Sequence, residues 1–153
     1  YNHSTFYELL KLELRNFRRY GVGLCLLLLD VDDFKRVNDE SGHQAGDELL
    51  VRLAEILTSE SRQTDICCRL GGDEFAVLLR LTNDIDEARA VAERIAQVAR
   101  ETSHRWPRSL SIGVVRCHHA IATAAELVRR ADDALYRGKS AGKGCVVVDG
   151  EGP

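Results

Sequence analysis

The sequence predicts an α+β domain in which a central, mostly antiparallel sheet of about five strands is covered by helices. Three observations carry that prediction. Val22 to Leu29 reads Val-Gly-Leu-Cys-Leu-Leu-Leu-Leu, the near-continuous apolar run of a strand buried on both faces. Two further apolar runs, Ile66-Cys67-Cys68 and Phe75-Ala76-Val77-Leu78-Leu79, flank Gly71-Gly72; a Gly pair between two such runs reads as a tight hairpin. Segments with helical apolar spacing separate and follow these strands. After an opening helix the order is strand, two helices, two strands, helix, strand, helix, strand.

Ser4 to Arg19 is the opening helix. Thr5 and Glu8 have the spacing of a capping box, and Phe6, Leu9, Leu10 and Phe17 fall near one face. The apolar strand is followed by a short helix, Phe34 to Asp39. A longer one, Ala45 to Glu60, carries Leu49, Leu50, Leu53, Ile56 and Leu57 on one side. Asp65 to Leu70 and Glu74 to Arg80 are the hairpin strands. Asp84 to Arg100 is helical, with Ile85, Ala88, Val91, Ala92, Ile95 and Ala99 inward, and Ser109 to Val115 is a strand. Thr123 with Glu126 caps a helix whose face is Leu127, Val128, Ala131, Ala134 and Leu135. Cys145 to Val148 is a last short strand.

The chain has 153 residues, 44% hydrophobic and 29% charged, which fits one domain with one sizeable core, residues 1–153. A net charge of −3 gives no nonspecific hold on nucleic acid or on an anionic membrane. The apolar run is too short to span a bilayer. The absence of any Met leads us to expect a piece of a longer protein. Cys25, Cys67, Cys68, Cys117 and Cys145 show no zinc or C-x-x-C spacing and read as small buried hydrophobes in a reducing cytoplasm.

Acidic residues gather at two strand ends. The apolar strand runs into Asp30-Val31-Asp32-Asp33, and the hairpin continues into Asp73-Glu74. Asp32 and Asp33 read as caps of the following helix. Asp30 does not, because a carboxylate at the end of a central strand is costly to bury without a partner or a metal. Glycine at the hairpin leaves room for backbone to approach a bulky ligand.

These clusters belong to six ordered blocks. They begin with Leu29-Asp30-Val31-Asp32-Asp33-Phe34-Lys35-Arg36-Val37-Asn38-Asp39, Gly42-His43 and Gly46-Asp47-Glu48. Arg69-Leu70-Gly71-Gly72-Asp73-Glu74-Phe75 and Ser111-Ile112-Gly113-Val114 follow. The last comprises Arg130-Ala131-Asp132, Ala134-Leu135-Tyr136 and Lys139. In that order they resemble the GGDEF family, the diguanylate cyclase domains, from about Asn2 to about Val147. The resemblance implies the fold shared by nucleotidyl cyclases and polymerase palms. It also implies the joining of two GTP into cyclic di-GMP with loss of pyrophosphate.

The chemistry is attack of a ribose 3′-hydroxyl on an α-phosphate, which calls for positioning and cations more than for covalent help. Two divalent ions are the common solution, and Mg²⁺ (or Mn²⁺) needs few carboxylates when phosphates complete its shell. The resemblance gives the metals Asp30, the Val31 carbonyl and Asp73, with Glu74 as a further candidate. It makes Asp73 the proton acceptor. It assigns Asn38, Asp47 and nearby His43 to guanine, and Phe34, Lys35, Lys139 and Lys143 to the phosphates, with Gly71 and Gly72 turning beside the nucleotide. The family's usual Arg-Asn is Lys143-Gly144 here; Lys cannot hold a phosphate bidentately, so a weaker grip is expected.

Arg62-Gln63-Thr64-Asp65 ends six residues before Gly71 and resembles the family's RxxD product-inhibition site, with Arg94 as a further member. Alone, R-x-x-D usually marks a surface ion pair. One domain would hold one GTP, so the resemblance implies a homodimer face to face, as the C-terminal output of a longer protein with a sensor or regulatory domain upstream. Charge and the missing membrane span lead us to expect no nucleic-acid partner and no membrane contact by this domain. A silent domain that only binds GTP or cyclic di-GMP is the alternative. The intact Gly71-Gly72-Asp73-Glu74-Phe75, Asp30, Asn38 and Asp47 weigh against it.

Overall fold

The computed structural model describes residues 1–102, 109–121 and 123–151. In chain order the elements are α1 (His3–Tyr20), β1 (Leu24–Val31), α2 (Phe34–Ser41), α3 (His43–Glu60), β2 (Ile66–Gly71) and β3 (Glu74–Arg80). After these come α4 (Ile85–Thr102), β4 (Leu110–Arg116), α5 (Ala124–Ser140) and β5 (Val146–Val148). The strands form a single sheet in the order β2-β3-β1-β4-β5. All neighbours are antiparallel except β4 and β5. The predicted class therefore holds. Among the described residues no helix is long and apolar enough to cross a membrane.

The unbroken apolar character of β1 follows from its place. It lies at the centre of the sheet with a layer of helices on each face. Cys25, Leu27, Leu29 and Val31 pack into the core shared with α2, α3 and α4. Leu24, Leu26 and Leu28 pack into the second core, under α1 and α5. Strand alternation thus sends successive residues into different cores. By the same alternation Asp30 faces the α5 side.

Several boundaries differ from the sequence reading, each for a local reason. The cap of α1 is Asn2, whose extended backbone lets Oδ1 accept from Thr5 N–H at 3.0 Å, so Thr5 lies inside the helix and does not form a capping box with Glu8. The first strand starts later than Val22 and reaches Val31, taking Asp30 into the ladder. Helix α3 begins at His43, one residue past Gly42, whose φ of 85° breaks it from α2. In the hairpin, β2 runs from Ile66 to Gly71, not from Asp65 to Leu70; Gly71 pairs with Glu74, the turn is Gly72-Asp73, and β3 starts at Glu74 as expected. Gly72 has φ 50°, which a Cβ would resist. At the sheet's β2 edge, Arg69 N–H donates to the Tyr1 carbonyl at 2.9 Å.

Gly113 of β4 sets how closely α5 lies on the sheet. A Cβ there would come 2.6 Å from Leu135 N and would also meet the Ala131 carbonyl, both rigid helix backbone. Gly113→Ala is therefore expected to lower stability by about 1–3 kcal/mol through overpacking, a fall in Tm of about 2–4 °C per kcal/mol for a domain of this size. Urea unfolding followed by circular dichroism measures it. An unchanged midpoint would show that α5 has room to spare at this position.

Candidate active site

At one end of the sheet, β1 and the β2–β3 turn meet. Asp30 is directly opposite Glu74 in the ladder, and Val31 N–H donates to the Asp73 carbonyl at 3.4 Å. Arg69 braces the turn from β2, donating through Nε and Nη2 to the Gly72 carbonyl at 3.0 and 2.8 Å. Asp30, Val31, Asp73 and Glu74 are thus brought together. Asp30 is 7% exposed, and its Oδ2 lies 2.7 Å from Lys139 Nζ of α5. Burial pushes the Asp30 carboxyl above its ordinary range, the Lys139 hydrogen bond draws it partly back, and the negative charges of Asp73 and Glu74 add to the rise.

Among the described residues no group of three or more His, Cys, Asp or Glu could hold a metal ion. The donors expected for a hard cation, the Asp30 and Asp73 carboxylates and the Val31 carbonyl, are too few to fill its shell, so they would fit one only with oxygen ligands from elsewhere.

Asp32 and Asp33 depart from the expected capping roles. Asp32 is 3% exposed. It accepts from Ser109 Oγ at 2.5 Å, Ser111 Oγ at 2.6 Å and Gly144 N–H at 2.9 Å, so it ties β1 to β4 and to the loop after α5. Asp33 does occupy the position before α2, but its side chain makes no capping hydrogen bond. Its Oδ1 lies 2.6 Å from Lys143 Nζ instead. The sequence places Ser109 and Ser111 in a strand and Gly144 beside Lys143, and ties none of them to Asp32. They lie 77 to 112 positions from Asp32, and no local pattern signals such a contact.

The residues assigned to guanine meet at the α2–α3 corner. The Asn38 carbonyl accepts from Gly42 N–H at 2.9 Å. The Asn38 amide lies over Gly46, where a Cβ would come 3.0 Å from Asn38 Cγ and 3.1 Å from Phe34 Cζ. His43 and Asp47 are exposed and one turn apart on α3. Lys35 is exposed and Phe34 half-buried at the start of α2.

Arg62, Asp65 and Arg94 stand apart from this cluster, beyond the other end of β2. They line a cavity of about 140 Å³ with Glu60, Thr82 and Glu87. Arg62 and Asp65 do not form the surface ion pair that their spacing suggested. The Asp65 carboxylate accepts from Arg62 N–H at 2.9 Å and Arg80 N–H at 3.0 Å. The Arg62 guanidinium lies 2.5 Å from Glu87, and Arg94 holds the Glu60 carboxylate at 2.6 Å and its carbonyl at 2.7 Å. The cysteines are all free, and burial raises Cys25 to about 12 and Cys117 to about 11.

Residues 1–145 match the family described as diguanylate cyclase, GGDEF domain. The chain is 37% identical over 146 residues to the cyclic di-GMP phosphodiesterase NbdA of Pseudomonas aeruginosa, covering 93% of this chain and 18% of NbdA. It is 39% identical over 149 residues to the diguanylate cyclase DgcM of Escherichia coli, covering 96% of this chain and 36% of DgcM. The chain therefore spans well under half of either relative. Among solved structures it resembles the GGDEF domain of DgcB from Caulobacter crescentus in complex with c-di-GMP. The TM-score is 0.91 at 25% identity, covering 98% of this chain and 89% of that one.

The raised Asp30 carboxyl gives a test on the protein alone. A carboxyl raised by folding binds its proton more tightly in the folded chain than in the unfolded one. Its contribution to stability is full below the ordinary carboxylate range and is lost as pH rises through the folded value. Asp30→Asn cannot titrate, so its stability should fall less than that of the unaltered chain between about pH 3 and pH 7. Urea midpoints without metal or nucleotide read the difference. Parallel curves would mean that Asp30 ionises as an ordinary surface carboxylate.

Proposed function

We propose that this chain, which belongs to the diguanylate cyclase GGDEF domain family, condenses two GTP into cyclic di-GMP. The observation that carries this reading is the meeting of Asp30 and Val31 with Asp73 and Glu74 across the β1–β3 ladder. In each half-reaction one ribose 3′-oxygen forms a bond to the α-phosphorus of the other GTP, and the bond to pyrophosphate breaks. Asp73, on a half-buried turn with its backbone fixed by Val31, takes the hydroxyl proton. Divalent cations held by Asp30, the Val31 carbonyl and Asp73, with Glu74 at hand, would neutralise phosphate charge. Lys139 places cationic charge beside Asp30 and Lys143 beside Asp33, on the side where the triphosphate would lie. Asn38 and Asp47 present donor and acceptor groups suited to the guanine edge, with His43 beside them.

One chain offers one such site and the product contains two nucleotides, so the working unit is two domains facing each other. The names of the relatives cover both making and breaking cyclic di-GMP. So little of NbdA is covered that its activity is not carried over. The domain is the output unit of a longer protein. Product binds at Arg62, Asp65 and Arg94 and cross-links two domains in an unproductive orientation, since a symmetric dinucleotide has two guanines to offer.

Labelled GTP with Mg²⁺ or Mn²⁺ should give cyclic di-GMP. Asp73→Asn should reduce turnover by about 100-fold or more while retaining the fold, because it removes a metal ligand and the base together. Only unreacted GTP at high protein concentration, with product removed as formed, would sink the cyclase reading. It would leave a domain that binds nucleotide without turning it over.

Arg62→Ala should weaken cyclic di-GMP binding by about 1–3 kcal/mol for each bidentate hydrogen-bond pair removed, with initial turnover nearly unchanged. Progress curves with added product, for both forms, measure this. Equal inhibition in both would leave Arg62 as a surface partner of Glu87.

A further inference from the structure

Asp33 and Lys143 are far apart in sequence yet share three features. Their side chains are joined at 2.6 Å. Both have left-handed backbone, φ 56° for Asp33 and 68° for Lys143, and among the described residues Leu81 alone joins them as a non-glycine with positive φ. Both lie at the rim where α2 begins and the loop after α5 returns. Left-handed backbone is costly for side-chain-bearing residues and persists where the surroundings impose it. At Asp33 those surroundings are visible. Asp32, one residue before, is fixed by Ser109, Ser111 and Gly144. Gly144, one residue after Lys143, is held by that same carboxylate. The two neighbours are thus pinned together from behind, and the Asp33–Lys143 pair closes over them in front.

The pair has a consequence for a triphosphate. An Asp before a helix ordinarily turns its carboxylate to the first-turn N–H groups, and this one does not. Its negative charge stands at the α2 N-terminus, beside Phe34 and Lys35, where anionic oxygens would otherwise be favoured. Lys143, the last cation of the predicted phosphate set, is already engaged by it. Its ammonium is held above its ordinary range by the Asp33 hydrogen bond first, and further by Asp33, Asp32 and Asp30 charge.

Building on the functional reading above, we propose that Asp33 is a positioning residue that competes with the substrate's triphosphate for Lys143, so that GTP binds only by displacing an internal carboxylate. Asp33 then sets affinity without touching the reacting atoms. Both partners are substantially exposed, so the competition is screened by salt.

Equilibrium binding of a fluorescent GTP analogue with Mg²⁺, at low and high salt, tests this with Asp33→Asn, Lys143→Asn and the double variant. Asn tolerates left-handed backbone, so the charges are removed without forcing the loops. Asp33→Asn should bind the analogue about 2–5-fold more tightly at low salt, the range of an exposed ion pair, and the gain should shrink at high salt. Lys143→Asn should bind more weakly, and adding Asp33→Asn to it should restore nothing. Unchanged or weaker binding by Asp33→Asn overturns the proposal. So does an equal gain in the Lys143→Asn background, which would make Asp33 a direct repeller of phosphate. If neither the unaltered chain nor any variant binds the analogue, the functional reading fails and takes this proposal with it. That result is distinct from tight binding that ignores Asp33.

Discussion

Asp32 carries a charge into a place where water barely reaches, and the end of the sheet is arranged around satisfying it. Two serine hydroxyls and one backbone amide converge on its oxygens, and its own N–H donates to the Ser109 carbonyl at 3.0 Å. Hydrogen bonds to a carboxylate are stronger than neutral ones, and burying a carboxylate without them is costly. The donors come from β4 and from the loop after α5. The cost of leaving Asp32 unsatisfied is therefore what fixes three otherwise separate chain segments in register. Asp30 and Val31 inherit their positions from it on one side, and Lys143 and Gly144 on the other.

Four consecutive residues at this corner face four surroundings. Asp30, still in the strand, faces α5 and meets Lys139. Val31 turns its side chain into the opposite core and donates its N–H to the Asp73 carbonyl. Asp32 points inward to its donors. Asp33, turned by its left-handed backbone, reaches outward to Lys143. Three carboxylates crowded together would repel. Here two are each given a lysine and the third a set of neutral donors, which separates their charges without moving them apart.

The sequence was most legible where period and burial coincide. β1 announced itself because both of its faces are covered, and the Leu49–Leu57 face of α3 because it lies flat on the first core. The β3 boundaries and the Thr123 cap of α5 also agree with the sequence reading, since each is set by adjacent residues. The grouping of Asp30 with Asp73, and of Arg62 with Asp65 and Arg94, was reached through family resemblance; Val31 N–H donates to the Asp73 carbonyl next to Asp30, and Arg62, Asp65 and Arg94 line one cavity. What the sequence did not disclose is long-range polar pairing. Nothing near Asp32 hints at Ser109, Ser111 or Gly144, and nothing near Arg62 shows that Glu87 outcompetes Asp65 for it. Such partners are chosen by tertiary packing, which local pattern does not encode.

The alternation of β1 between two cores bears on how the molecule can come apart. Removing the α1 and α5 layer would expose Leu24, Leu26 and Leu28, and removing the other would expose Cys25, Leu27 and Leu29. Either removal would wet every second residue of a strand that has no polar face to offer water, at roughly 1.5–3 kcal/mol for each large side chain. A half-covered sheet is thus a poor resting state, and the two layers are bound into one cooperative unit. Integrity of the corner at the end of β1 is then a property of the whole domain: a population of molecules divides into those with every part of it assembled and those with none.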